Sequence, residues 1–523
     1  MRLLIMLLLL AFGWVVEGQE VKVGKTHKSK FLHPSPNIVG QDEENFYTAY
    51  LTESPPLKLG IESFNKNTLE RNYKKIIDPK LEVNFSVMNT FEHFLFMDGY
   101  FIYFVQGVFF KASYTEIYAY KIDALTGEEM PPDTLLHQDV ENLSTVMSTG
   151  KYLERIGEVH FSSSKNNERL VIQYSSKDFE IDRYYEQLVV LDGELNEILK
   201  KTEIKSSKEE LIPHRKVVDS EGSMYYIENG ELVFLDFFQN YEEWREPLSS
   251  GFFESNAKPV GLSGSFGKTG NLVLSAFYLT EDLEDTDENK DASERREGDT
   301  QLEGIVYIEV DLFNKEVATA RLNRFDQSFI DEFRTQDQLK YNIEAEVNDI
   351  FKSFKYHFTD SITLLIAEAG IRMSIPKGTW RTKEDLAIFA FDMKGRLIWS
   401  HRIPKRQEAS DSRMNNIIGY FSFIEDRELH ILFQDYDLNF EDGKRNINDL
   451  RLADKNKYMV PVLYSINLNN GKLNYELKKN WNSDSKTLVI SPMNAIQDDV
   501  EENVIYSFRM NKRKYQPVKV YKP

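Results

Sequence analysis

The sequence predicts an all-β protein folded as a seven-bladed β-propeller, with an eight-bladed ring as the second choice. Two observations lead to this prediction. One hairpin pattern recurs along most of the chain, and aromatic residues make up 13% of its 523 residues. The 35 Phe and 27 Tyr favour strands over helices. Recurrence at intervals of tens of residues indicates a repeat architecture, and four antiparallel strands per repeat are typical of a propeller blade.

Each repeat contains an alternating apolar strand that ends in Asp or Asn, then a short turn and a second strand. An Asp or Asn side chain hydrogen-bonds the backbone of the turn that follows it, so this column predicts tight hairpin turns. The column consists of Asn65, Asp123, Asp192, Asp236, Asp311, Asp392 and Asn467. Residues that tolerate positive φ follow three or four positions later in most repeats. They are Gly127, Asn196, Asn240, Asn314, Gly395 and Gly471, whereas Leu69 holds this place in the first repeat.

The number of blades follows from how the ring closes. From the second repeat onward, two further strand-like runs precede each hairpin, as at Tyr356–Phe358 and Ile362–Ala367. The last repeat lacks a fourth strand, so we expect an N-terminal strand to complete its sheet and protect the free edges. Asn45–Leu51 and Leu59–Phe64 are the candidates for that strand. Six complete blades and one composite blade then give seven, with the propeller spanning residues 45–523.

Three repeats carry an aromatic residue four positions after the Gly or Asn of the turn: Trp399 after Gly395, Trp244 after Asn240 and Tyr475 after Gly471. They resemble the propeller blades of pyrroloquinoline-quinone enzymes, whose third and fourth strands read Ala-x-Asp-x-x-x-Gly-x-x-x-Trp. Ala390-Phe-Asp392-Met-Lys-Gly395-Arg-Leu-Ile-Trp399 is similar, although it is one residue shorter before the Gly. The resemblance implies a blade fold and a Trp that docks one blade on the next. It does not imply the quinone cofactor or alcohol oxidation, because a shared fold does not carry a shared function.

The N-terminal residues have the pattern of a secretory signal peptide. Arg2 precedes the apolar run Leu3–Val16, and Gly18 supplies a small residue before a cleavage position at Gln19. We therefore expect residues 1–18 to be removed and residues 19–44 to form a leader ahead of the propeller. No other run of about 18 apolar residues is present, so no membrane span is expected. The expected location is outside the cytoplasm of a bacterium, in the periplasm or the extracellular space.

Charge and cysteine content narrow the classes of partner and chemistry. The chain carries 84 acidic and 64 basic residues, a net charge of −20, which repels nucleic-acid phosphates. It contains no cysteine, so disulfides, thiolate metal sites and thiol nucleophiles are excluded. We expect a monomer whose partner is a protein or a glycan.

The long connections are expected on one face of the ring, which makes that face the predicted binding surface. They include an acidic insertion at 280–302 and a predicted helical insertion at 328–354, where apolar residues recur at steps of three and four. Basic residues and a tryptophan in the sixth and seventh repeats predict a site for a carboxylate or a sugar acid. These residues are Arg372, Trp380, Arg381, Lys444, Arg445 and Arg451.

Three first strands carry the pair His-Phe, at His93, His160 and His357. First strands line the central channel of a propeller, so three imidazoles there are candidate ligands for one divalent metal ion. In the alternative interpretation, each repeat reuses a histidine that hydrogen-bonds between strands.

The function predicted from these features is that of an exported, non-catalytic binding or scaffold propeller without a cofactor. Its partner would be a protein or a glycan bound to the loop-rich face. The sequence has neither a Gly-x-Ser-x-Gly elbow nor a His-Glu-x-x-His pair, which favours binding over catalysis. The alternative is a metal-assisted lyase or hydrolase that acts on an acidic polysaccharide in the channel. In that case the three histidines would hold the metal and the basic loops would clamp the substrate.

Overall fold

The computed structural model places most of the described residues in antiparallel sheets, which form an eight-bladed β-propeller. The residues that the structure describes are 21–28, 37–51, 58–78, 87–140, 157–164, 168–178, 182–208, 210–212, 216–228, 231–247, 257–280, 302–333, 347, 351–370, 372–375, 378–409, 417–441, 444–445, 450, 458–482, 488–498, 500–501, 504–511 and 514–521.

Seven blades are each formed by one stretch of chain and are numbered here in chain order. Their strands are counted from the centre of the ring outward. Blade 1 consists of Asn37–Gln41, Asn45–Leu51, Leu59–Asn65 and Arg71–Ile77. Blade 2 consists of Val87–Met97, Tyr100–Phe109, Tyr114–Asp123 and Asp133–Asp139. Blade 3 consists of Glu158–Ser163, Arg169–Asp178, Arg183–Asp192 and Glu197–Lys205. Blade 4 consists of Val217–Val218, Met224–Glu228, Glu231–Asp236 and Glu242–Pro247. Blade 5 consists of Ala257–Phe266, Leu272–Thr280, Gly304–Asp311 and Glu316–Arg324. Blade 6 consists of Phe351–Phe358, Ile362–Ala369, Leu386–Asp392 and Leu397–Ile403. Blade 7 consists of Tyr420–Glu425, Glu428–Tyr436, Met459–Asn467 and Leu473–Leu477.

Blade 8 is the composite blade, and its composition corrects the predicted count of seven. Its inner strands come from the C-terminal part of the chain: Val489–Ile490, Ile496–Gln497, Val504–Met510 and Lys514–Tyr521. Its outer strand comes from Val21–Val23 and His27–Lys28, which both pair antiparallel with Lys514–Tyr521. The segments Asn45–Leu51 and Leu59–Phe64 are not the closing strand, because they already belong to a complete blade 1. A propeller strand therefore begins at Val21, inside the segment predicted to be a leader.

Two further predicted features lie partly outside the described residues. Of the predicted helical insertion at 328–354, the structure describes a short α-helix at Gln327–Asp331. The first strand of blade 6 begins at Phe351, so Phe354 lies on a strand instead of a helix. Residues 334–346 and 348–350 lie outside the described residues, as do residues 281–301 of the acidic insertion and the signal peptide.

Apolar side chains pack between neighbouring blades and close the ring. Among the described residues there are eight such clusters, one between each pair of consecutive blades. The cluster between blade 8 and blade 1 includes Phe46 stacked on Tyr506, with ring centroids 5.2 Å apart. The turn Pro492–Asn494 of blade 8 also contacts the first strands of blades 1 and 7. The two ends of the ring therefore meet.

The structure confirms the predicted hairpin turns. All seven members of the Asp/Asn column stand between the third and fourth strands, and each side chain accepts a hydrogen bond from a backbone N–H of its turn. Gly127, Asn240, Gly395 and Gly471 have positive φ as expected. In blades 3 and 5 the positive φ falls one position away from the predicted Asn, at Leu195 and Lys315.

Turns between first and second strands and between third and fourth strands share one face, which we call the hairpin face. Connections between second and third strands and between blades lie on the opposite face, which we call the loop face. On the loop face, Arg372–Ile375 and Gly378–Lys383 pair with each other, and Gln407–Ala409 adds a third strand. A smaller hairpin, Phe440–Glu441 with Lys444–Arg445, extends blade 7. In the described part of the chain, no helix has the length and apolar character needed to span a bilayer.

Candidate binding pocket between blades 4 and 5

The six residues predicted to bind a carboxylate do not form one described cluster. Arg372 and Arg381 lie opposite each other in the loop-face hairpin, and Trp380 pairs with Met373 there. Only the backbone of this hairpin is described at those positions, and Arg451 lies outside the described residues. Their role in binding stays a prediction.

Arg445 has a structural environment that the sequence did not reveal. Its side chain is 1% exposed and forms an ion pair with Asp435, with Nε donating to Oδ2 over 2.7 Å. Its NH1 also donates to the hydroxyl of Tyr464 over 2.8 Å. Lys444, next to it in the same hairpin, is exposed. The Arg445 guanidinium therefore ties the small hairpin to blade 7, and a ligand would have to displace Asp435 to reach it.

The three histidines stand on first strands, each beside its Phe, as predicted. In blades 2 and 6 the imidazole faces the following blade: His93 stacks on Phe161 with centroids 5.0 Å apart, and Nε2 of His357 lies 2.8 Å from Oγ of Ser422. His160 lies beside Glu158 of its own strand. The described residues contain no group of three or more His, Cys, Asp or Glu side chains placed to hold a metal ion. The predicted metal site stays a prediction.

A cavity of about 720 Å³ opens on the hairpin face between blades 4 and 5. Two buried aromatic rings of blade 4 belong to its wall, with Tyr225 stacked on Phe234 at a centroid distance of 4.7 Å. Phe266 of blade 5 meets Tyr225 edge-to-face at 6.3 Å. The cavity is formed by the hairpin turns of both blades, so the repeat itself positions its lining.

Two phenylalanines at this cavity are exposed to solvent. Phe313 is 94% exposed and Phe238 is 74% exposed, and both are the second residue after the capping Asp of their turns. Leu125 holds the same position in blade 2 and is also exposed. Turn tips usually carry polar residues, so apolar side chains at this position are the signal that could have identified the site from sequence.

The carboxylates of Asp219, Glu221 and Asp236 and the ammonium group of Lys315 supply the charge within the pocket. Asp219 accepts hydrogen bonds from the backbone N–H groups of Gly222 and Ser223, both over 2.8 Å, and from the hydroxyl of Tyr225 over 3.0 Å. Burial, with a contribution from Asp219, raises the pKa of Tyr225 far above its ordinary value, so this hydroxyl stays a donor.

Asp236 caps its own turn and also pairs with a lysine of the next blade. Its Oδ1 accepts from the N–H of Phe238 over 2.9 Å, and its Oδ2 accepts from the ammonium of Lys315. The Asp236 side chain is 7% exposed, whereas that of Lys315 is 35% exposed. Lys315 also places its Nζ over the ring of Phe234, 5.3 Å from the centroid. The pocket therefore combines aromatic faces with carboxylates, groups that together can bind a cation.

A second cavity, of about 640 Å³, lies between the outer strands of blades 3 and 4. Ion pairs lie within it: Lys201 pairs with Glu203 over 2.7 Å, and Arg245 pairs with Glu228 over 2.7 Å. Its lining aromatic residues, Tyr226 and Tyr241, are buried, so it lacks the exposed aromatic side chains of the cavity between blades 4 and 5.

Comparison with known proteins gives no family and only distant structural likenesses. No known protein family matches the chain, and no curated protein matches it. Among solved structures, the chain is similar to the quinohemoprotein alcohol dehydrogenase ADHIIG from Pseudomonas putida HK5, with 9% identity and a TM-score of 0.41 over 96% of this chain and 76% of that one. It is also similar to a europium-containing methanol dehydrogenase, with 8% identity and a TM-score of 0.41 over 97% and 94%. For the β-propeller domain of the Trilobed protease from Pyrococcus furiosus, the identity is 10% and the TM-score 0.33 over 93% and 94%. All three TM-scores are below 0.5, so nothing about ligand or activity is carried over from these proteins to this chain.

Proposed function

We propose that this chain is an exported, non-catalytic propeller that binds a protein partner through the pocket between blades 4 and 5. The observation that supports this function is the pair of exposed phenylalanines, Phe238 and Phe313, beside an apolar cavity. Leaving a Phe side chain in water forgoes about 1.5–3 kcal/mol of burial free energy. Aromatic anchors next to a pocket are typical of the energetic centre of a protein interface.

The charge of the pocket favours a protein over an acidic glycan. Asp219, Glu221 and Asp236 outnumber Lys315 at the cavity, so its net charge is negative. A uronic acid would be repelled there, whereas a peptide segment with apolar and basic side chains complements both features. The loop face, which the sequence favours as the binding surface, stays a separate proposal that rests on Arg372, Trp380 and their neighbours.

Export and the enzymatic alternative also stay proposals with direct tests. Sequencing the N-terminus of the secreted protein should give Gln19 as the first residue if the signal peptide is cleaved as predicted. Metal analysis of the purified protein tests the alternative of a metal-assisted lyase or hydrolase. One divalent ion per chain that is lost in His160→Ala would favour that alternative.

The docking function is tested by affinity capture with a matched pair of variants. The mature protein should retain a partner from an extract of its source organism, and Phe238→Ser with Phe313→Ser should lose that same partner. Leu438→Ser removes a 52% exposed apolar side chain from the loop face and should retain the partner. The proposal is wrong if the double variant retains every captured protein, or if Leu438→Ser loses the same ones.

A further inference from the structure

The position of Lys315 indicates what kind of group the pocket accommodates. Lys315 belongs to the hairpin turn of blade 5, yet its ammonium group reaches the wall of blade 4. There it pairs with Asp236 and lies over the aromatic face of Phe234. A carboxylate together with an aromatic face is the usual environment of a bound cation. Part of the pocket is therefore already occupied by an alkylammonium group of the protein itself.

The contacts of the Lys315 ammonium group allow another cation to replace it at Asp236. Its side chain is 35% exposed, and its backbone has a φ of 54°, a conformation that a non-glycine residue adopts at a cost. Lys405 offers a contrast, because its side chain is 0% exposed and pairs with the buried carboxylate of Glu368. Removing Lys405 from its site would require opening the core, whereas Lys315 can swing into solvent without disturbing a strand.

We propose that the pocket between blades 4 and 5 accepts a Lys or Arg side chain of the protein partner, which replaces Lys315 at Asp236. The inference rests on the proposed function and adds the chemical class of the group that enters the pocket. The partner's basic group would pair with Asp236 and lie over Phe234, while neighbouring apolar side chains pack on Phe238 and Phe313. Asp219 and Glu221 supply further negative potential at the cavity.

Because the partner's basic group takes the place of Lys315, the two groups compete for Asp236. Replacing Lys315 by Met keeps the length of the side chain but removes its charge, so Asp236 becomes free for the incoming cation. Affinity for a basic peptide should therefore increase. Asp236→Asn should have the opposite effect, because the amide keeps an oxygen to accept from the N–H of Phe238 but loses the charge.

The test uses fluorescence anisotropy with the full mature protein and two labelled peptides. The basic probe is Gly-Ser-Leu-Lys-Leu-Ser-Gly, and the neutral probe carries Gln in place of Lys. We expect the basic probe to bind at least tenfold more tightly than the neutral one, and added salt to weaken it. Lys315→Met should tighten its binding at least threefold, and Asp236→Asn should weaken it at least fivefold. Circular dichroism melting of each variant verifies that it is folded.

Each outcome separates this inference from the proposed function. If the neutral peptide binds as tightly as the basic one and both need Phe238 and Phe313, the docking function stands and the cation site is wrong. If Lys315→Met leaves the affinity for the basic peptide unchanged or lower, the exchange is wrong. If neither peptide binds any folded variant, the inference is overturned, and the affinity capture decides the docking function by itself.

Discussion

At the scale of single residues, His27 is the most informative titratable group because it lies on the strand that closes the ring. Its ring lies 5.4 Å from that of Tyr515 and 5.8 Å from that of Phe64, measured between centroids. Burial and the nearby cations Arg71, Lys25 and Lys74 lower its pKa from 6.5 to about 4. Its Nε2 is buried, and the described residues offer it no hydrogen-bond partner. The closing strand is therefore built around a neutral imidazole.

This environment predicts a loss of stability in acid. Between pH 6.5 and pH 4 the unfolded chain binds a proton at His27 and the folded chain does not, so the free energy of unfolding decreases as the pH falls through this range. His27→Phe keeps the aromatic packing and removes the titration, so its stability should depend less on pH. Urea unfolding at pH 7, 5.5 and 4.5 measures the effect. If the free energy of unfolding changes equally with pH in the two proteins, the assignment of this effect to His27 is wrong.

Sequence reasoning predicted where these residues lie in the repeats better than what their side chains contact. It placed the His-Phe pairs on first strands, but pattern alone cannot show that the imidazole of His93 packs on Phe161 of the next blade. It predicted Arg445 as a ligand-binding residue and gave no sign that the fold buries its side chain against Asp435. It also missed Phe238 and Phe313, although their place two residues after the capping Asp of a hairpin turn indicated that they are exposed. Such contacts join side chains from different strands, and only the folded chain brings them together.

At the scale of elements, the hairpin turns connect each blade to its neighbour. In blade 6, Oδ1 of Asp392 accepts from the N–H groups of Lys394 and Arg396, both over 2.9 Å, and Gly395 has a φ of 70°. A Cβ on Gly395 would lie 2.5 Å from a ring carbon of Tyr307, a buried residue of blade 5. Trp399 in the following strand donates to the carbonyl of Leu468 in blade 7 over 3.2 Å. This contact is of the blade-docking kind that the family resemblance implies.

The packing around Gly395 predicts a specific cost of substitution. Gly395→Ala should lower the free energy of unfolding by about 2–4 kcal/mol, because it combines unfavourable positive φ with a clash in a packed interface. Gly99→Ala is the matched control, since Gly99 has a φ of 78° with no atom within 4 Å of the added methyl. It should cost only about 1–2 kcal/mol. Urea denaturation compares the two, and equal losses would show that packing at Gly395 contributes nothing.

The elements were predictable where local chemistry defines them. The Asp/Asn column located all seven third-to-fourth turns, because capping a turn requires only residues close in sequence. The count of blades was wrong because the closing strand is short and is defined by a partner almost 500 residues away. Val21–Val23 has three residues and carries no turn signal of its own, and its strand character comes from pairing with Val518–Val520. Non-local pairing of this kind leaves little trace in the sequence.

At the scale of the whole molecule, the seam between blade 1 and blade 8 decides whether the ring is closed. Buried polar contacts join the two blades in addition to the apolar cluster. The hydroxyl of Tyr515 donates to the carboxylate of Glu62 over 2.7 Å, and Lys66 pairs with Asp498 over 2.9 Å with both side chains 3% exposed. Because the pocket depends on how blades 4 and 5 sit side by side, a closed ring is the condition for the proposed function.

The most direct test of this account is a disulfide across the closing strand. Lys22 lies opposite Lys519, and the chain has no native cysteine to interfere. Lys22→Cys with Lys519→Cys should form the bond on oxidation, and mass spectrometry of the digested protein should link positions 22 and 519. The control is Ser63→Cys with Lys519→Cys. Ser63 belongs to Leu59–Phe64, one of the two segments that could close a seven-bladed ring by pairing with Lys514–Tyr521. An eight-bladed ring predicts a disulfide in the first pair and none in the second, and the reverse result would contradict it.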